Sequence, residues 1–105
     1  MNDTTLTKDF ILETIKKSHD HLSSFGVKEI GLFGSYVRNE ATPESDIDIL
    51  VEFDTQKRTY DNFFNTCVFL EELLHHKVEL VTPDSLSPYI KPYIMKGIEY
   101  VPLTT

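Results

Sequence analysis

The sequence has no tryptophan and a single cysteine, Cys67, so no internal disulfide can hold the fold together. Basic residues are also scarce. Ten Lys plus Arg stand against seventeen Asp plus Glu, a formal net charge of -7, which is the wrong sign for a domain that grips a nucleic-acid backbone by charge. Duplex nucleic-acid binding is therefore not expected. No apolar run approaches a membrane span, and the opening "MNDTTLTKDF" lacks the basic region and apolar run of a secretory signal. A reducing cytoplasm is the expected location, without membrane association. Internal repeats, low-complexity tracts and linkers are missing too, and 105 residues can build one modest core but not two. A single domain over 1–105 is expected.

What is present points to a folded chain: 40% hydrophobic residues, among them seven Phe and five Tyr. Leu12, Ile15, His19 and Leu22 recur at helical spacing, which predicts a first helix over residues 7–24, with Thr7 as N-cap and Gly26 where it stops. "VKEIGLF" reads as a short buried strand running into Gly34-Ser35, and "SYVRN" as a short helical turn. "NEATPES" is a loop, because Pro43 disfavours helix at Thr42. The strand "DIDILVEF" follows. Phe63, Phe64, Cys67, Phe69, Leu70, Leu73 and Leu74 then recur at three- and four-residue steps, predicting a helix from Tyr60 to His75 packed on a sheet. "KVELV" is a third strand. Beyond it the spacing of Pro88 and Pro92 favours a turn through Ser87 to Ile90, a helix from Pro92 to Lys96 and a short final strand at Glu99 to Val101. The fold class is mixed α+β, a sheet of three to four strands flanked by helices.

The chemistry concentrates in "GSYVRNEATPESDIDILVEF". Alternate residues of a strand face one side, so Asp46 and Asp48 project together, about 6 to 7 Å apart along the chain. Ile47, Ile49 and Val51 face the other side. Two carboxylates so placed repel each other unless a cation sits between or over them. Hard oxygen ligands select Mg2+ or Mn2+, and two such ions about 3.5 to 4 Å apart can clamp the attacking and leaving oxygens of a phosphoryl-type displacement. Glu79 is a third acidic candidate, since an acidic residue in a short apolar strand needs a reason to be there; a charge that protects an edge strand is the other. Glycine at position 34 lets the backbone approach an oxyanion closely, with the Ser35 hydroxyl as donor. Ser35 also reads as an ordinary helix N-cap. Arg38 could reach the same phosphates or pair with Glu40 or Glu44 at the surface.

Gly34-Ser35, ten residues, Asp46-Ile47-Asp48 and a later acidic strand together resemble the minimal nucleotidyltransferases of the DNA polymerase beta-like superfamily. The resemblance covers nearly the whole chain. It implies metal-dependent transfer of AMP from ATP to a tyrosine hydroxyl of a helical HEPN toxin, with this chain as the antitoxin. It further implies Asp46, Asp48 and Glu79 as the catalytic and metal-binding set, with Gly34 and Ser35 holding the triphosphate and Arg38 within reach of it. Two positions depart from the family pattern. Asn39 stands where Gly is frequent after the arginine, and Glu79 where Asp is frequent. A catalytically silent binding module is the alternative from another class, and nucleotide transfer to a small molecule is a third; oligomers with itself or a partner stay open.

Other candidates read as structure. His75-His76 suits a helix end, His19 and His21 ordinary places on the first helix, and Cys67 the packed side of its helix. Tyr89, Tyr93 and Tyr100 could stack on a base, but core or interface packing is the expectation.

Overall fold

The structure, a computed structural model, describes residues 6–103. Residues 1–5 and 104–105 lie outside the described residues, and with them the first half of the stretch read for a secretory signal. No helix among the described residues is long and apolar enough to cross a membrane.

Four strands form one sheet in the order β3-β2-β1-β4, where β1 is Val27–Phe33, β2 Ile47–Phe53, β3 Val78–Val81 and β4 Glu99–Val101. β1 lies antiparallel to both β2 and β4, whereas β2 and β3 run parallel. A parallel pair needs a crossover, and α3, Tyr60–Leu74, supplies it. Its ends are set by short-range chemistry. Thr59 Oγ1 accepts from the Asn62 N–H at 3.1 Å, and His75 closes the helix in the left-handed region at φ 52°. The mixed α+β class and all four expected strands are present, the last pairing as expected at Glu99–Val101.

One face of the sheet is packed. Ile11, Ile15 and Leu22 from the N-terminal helices and Leu70 and Leu74 from α3 meet Ile30, Leu32, Ile47, Ile49 and Val51, all essentially without solvent exposure. Because strand residues alternate, Gly31, Phe33, Asp48, Leu50 and Glu79 belong to the opposite face. Leu50 is buried there, outside the main core cluster, opposite Gly31 in the ladder. Glycine at position 31 leaves room for the Ile98 side chain, which a Cβ added there would approach within 2.8 Å. Ile98 and the preceding α4, Lys91–Gly97, therefore cover part of the second face beside β1.

Two boundaries and the exposure of the C-terminal tyrosines differ from the sequence reading. The expected single helix over residues 7–24 is two, α1 Lys8–Lys17 and α2 His19–Ser24, parted at Ser18 (φ -102°, ψ 18°). The His19 ring supplies a reason, its Nδ1 lying 3.0 Å from the Lys16 carbonyl and meeting an acceptor the continued helix would have used. Thr7 is the N-cap as expected, but the turn buries Ile11 fully and leaves Leu12 partly covered. The final helix starts one residue before Pro92, a position where proline loses no needed hydrogen bond. Finally, Tyr89 and Tyr93 are not core: they are 85% and 81% exposed, and Tyr100 is 45% exposed.

Leu70→Ala should cost about 2–5 kcal/mol in urea unfolding, because it empties a fully buried site at the helix–sheet contact. Phe64→Ala, on the exposed side of the same helix, should stay within about 0.5 kcal/mol.

Candidate active site

The site starts where β1 ends. Gly34 has φ 81°, and a Cβ built on it would collide with the Asp48 carboxylate, reaching 3.0 Å from Cγ and 3.1 Å from Cβ. Only glycine combines that backbone with that proximity. The chain then makes a single 3-10 turn, Gly34–Tyr36, in which the Gly34 carbonyl accepts from the Val37 and Arg38 N–H groups, both at 3.2 Å. Ser35 is not the N-cap: Phe33 holds that position, and the Ser35 hydroxyl makes no hydrogen bond among the described residues. Asn39 sits at φ 62°. Asparagine is among the non-glycine residues that tolerate the left-handed region, so replacing a glycine there keeps the turn's path.

The carboxylates come from two strands and a loop. β2 begins at Ile47, so Asp46 is the last loop residue and not the first strand residue. That loop is short and braced: the Thr42 N–H donates to Ser45 Oγ at 2.9 Å, and the Ser45 N–H to the Thr42 carbonyl at 2.9 Å. The Ile47 N–H donates to the Lys77 carbonyl at 3.0 Å, joining the loop exit to the start of β3. In the parallel ladder Asp48 stands directly beside Glu79, and paired residues of neighbouring strands share a face. Arg38 is exposed and pairs with Glu40, Nε to Oε1 at 2.9 Å, the surface pairing that its sequence position allowed.

Electrostatics single out Asp48. Burial pushes its carboxyl above the ordinary range, Glu79 and Asp46 push it further, and Arg38 opposes them. The three acidic residues therefore act on one another. Among the described residues, no three His, Cys, Asp or Glu side chains are already gathered as a ligand cage. The donor set nevertheless fits a hard divalent cation: three carboxylates, with the proton affinity of the half-buried Asp48 raised by burial and then by Glu79 and Asp46. Cys67 takes no part, since burial, then Glu71 and Glu79, hold its thiol up and protonated.

Two features escaped the sequence reading. His75 does close a helix, but His76 turns back, its Nε2 donating to the Ser45 carbonyl at 2.6 Å while its ring meets Tyr36 edge-on at 6.3 Å. It thereby braces the residue that precedes Asp46. The second is a groove of about 420 Å3 beside Gly34, walled by Phe33, Val37 and Arg38 on one side and by Tyr93, Ile94 and Lys96 of α4 on the other. No local signal in "KPYIMKG" links it to "GSYVR"; the ladder brings them together.

Residues 12–101 match the family model described as nucleotidyltransferase domain. The protein adenylyltransferase MntA of Thermococcus cleftensis is 40% identical over 92 residues, covering 86% of this chain and 92% of that protein. A solved structure provisionally named as a minimal nucleotidyltransferase superposes with a TM-score of 0.71 at 27% identity, covering 92% of this chain and 98% of that one. A toxin–antitoxin complex crystallised with AMP-PNP contains a chain that superposes with a TM-score of 0.63 at 25% identity, covering 81% of this chain and 70% of that one.

Because the folded pKa of Asp48 is raised, the native state holds this proton more tightly than the unfolded chain does. Stability is then lost as pH rises from the ordinary value of 3.8 through the raised folded value. Asp48→Asn should therefore unfold at a higher denaturant midpoint than the unmutated chain at pH 7, with the difference closing below pH 3.8; equal midpoints at pH 7 would contradict this electrostatic account.

Proposed function

The chain belongs to the nucleotidyltransferase domain family, and on that premise we propose that it moves AMP from ATP to a hydroxyl of a partner protein, a tyrosine of a HEPN toxin, and so acts as an antitoxin. The observation that carries this reading is the register of β2 and β3, which sets Asp48 beside Glu79 while Gly34 presses against Asp48 from β1. Three elements distant in sequence thus meet at one point of one sheet face. The Thermococcus relative named a protein adenylyltransferase supports AMP as the transferred group, and the toxin–antitoxin neighbour with AMP-PNP supports a partner chain and an adenine nucleotide.

In this reading Asp46, Asp48 and Glu79 hold Mg2+ or Mn2+, and the cation supplies charge neutralisation and Lewis acidity at the reacting phosphate. Gly34 and Ser35 seat the triphosphate, with the Ser35 hydroxyl as donor and Arg38 as its charged neighbour. Glu79 or Asp46 accepts the proton of the attacking hydroxyl. A bond forms between that oxygen and the α-phosphorus, the bond from the α-phosphorus to the bridging oxygen breaks, and pyrophosphate leaves. The chain works as one domain, with acceptor specificity supplied by the partner, because little of it is left to build an acceptor pocket. Glu79, one methylene longer than aspartate, is exposed and has the freedom to reach the same centre.

A silent binding module is the second reading, favoured by the exposed aromatics Tyr60, Phe64, Tyr89 and Tyr93. Incubation with α-labelled ATP, Mg2+ and the partner toxin separates the two. Label should pass to the toxin, and Asp46→Asn, Asp48→Asn or Glu79→Gln should each lower transfer about 100-fold or more while toxin capture persists. Unlabelled toxin that is nonetheless captured and neutralised by all four forms would establish the binding module instead.

A further inference from the structure

We propose that Lys96 of α4, which lines the groove beside Gly34 together with Arg38, is a phosphate-binding residue that grips the β- and γ-phosphates of the nucleotide, the part that leaves as pyrophosphate. The inference rests on the nucleotidyl-transfer reading above and extends it to a helix that reading does not use.

Position argues for the leaving phosphates. Across the site face the order is Glu79 on β3, Asp48 on β2, then Phe33 and Gly34 at the end of β1, with α4 beyond. Among the described residues β3 is the sheet edge on that side, and in this proposal it is the side from which another chain brings its hydroxyl. With the α-phosphate over Asp48 and attack from the β3 side, in-line displacement directs the leaving group the opposite way, past Gly34 and into the groove. The groove, about 420 Å3, is of the size that small-molecule sites have.

Charge argues the same way. The chain has a formal net charge of -7, yet the groove is lined by two cations and no acid. Lys96 makes no ion pair among the described residues, and Arg38 is engaged only through Nε, leaving both Nη groups for a second anion. Phe33, Val37 and Ile94 supply the apolar part of the lining beside these two exposed cations. Lysine suits this place as a mobile point charge that can follow the departing pyrophosphate.

The test measures binding of AMP-PNP, tripolyphosphate and AMP by calorimetry, in Mg2+, to the full chain and to Lys96→Ala, Lys96→Arg and Lys91→Ala. Lys96 is exposed, so its replacement leaves the core intact, and Lys91→Ala removes the same charge from the same helix outside the groove. Lys96→Ala should weaken AMP-PNP and tripolyphosphate about 10-fold and leave AMP within about twofold, with Lys96→Arg restoring most of the loss and Lys91→Ala changing nothing. If Lys96→Ala binds all three as the unmutated chain does, or loses AMP equally, the proposal is wrong while nucleotidyl transfer stands. An unmutated chain that binds neither AMP-PNP nor tripolyphosphate overturns both.

Discussion

The parallel pairing of β2 with β3 is the constraint on which the site depends. It places Asp48 and Glu79 side by side, and nothing in the attraction between the two residues could do so, since like charges repel. The force comes from the other face. Ile47, Ile49, Val78 and Leu80 are buried against α3 and the N-terminal helices, and a slip of one residue would turn that apolar set outward and the carboxylates inward. Hydrophobic burial on one side of the sheet thus holds together an acidic cluster on the other. Burial, and then Glu79 and Asp46, raise the proton affinity of Asp48 in that arrangement.

Backbone geometry imposes a second condition at the end of β1. Gly34 leaves the strand in the left-handed region with its Cα against a carboxylate, and Asn39 repeats the left-handed conformation five residues later, where the turn opens into the loop toward Asp46. Between these two points the chain reverses direction tightly enough to bring the Gly-Ser turn and the carboxylate strand into one site. The braces of the loop, Thr42 with Ser45 and Ser45 with His76, then deliver Asp46 from a fixed direction. His76 is a structural residue of this site, acting through the Ser45 carbonyl.

The family assignment and the geometry bear on different parts of the functional reading. Membership of the nucleotidyltransferase domain family makes the chain a nucleotidyltransferase. The roles given to individual residues rest on placement: the convergence of Gly34, Asp48 and Glu79, the coupling of Asp46 to Asp48, and the exposed Arg38 beside them. The surface adds a different kind of information. Tyr60 stacks on Phe64 at 6.2 Å, and Tyr89 and Tyr93 stand out from the C-terminal segment, so aromatic area that a core would have used faces outward.

Much of this was legible in the residues themselves. Local chemistry is written locally: the threonine caps, the period of α3, the alternation in β2 and the glycine after β1 each act within a few positions, so strands and helix types could be read without knowing the fold. The Gly34-Ser35 and Asp46-Ile47-Asp48 pattern was legible for the same reason, both halves lying within fifteen residues. What depended on distant chain segments was not. Glu79 joins Asp46 and Asp48 as a candidate on its residue type and the family pattern, but its register beside Asp48, the burial of Leu50 on the site face, the reach of His76 to Ser45 and the shared groove of Lys96 and Arg38 all follow from which strands pair and in what register, a matter of summed packing over the whole sheet. The exposure of the C-terminal tyrosines belongs to the same class, because whether an aromatic residue is core or surface is decided by what folds over it, and the sequence of the segment carries no record of that.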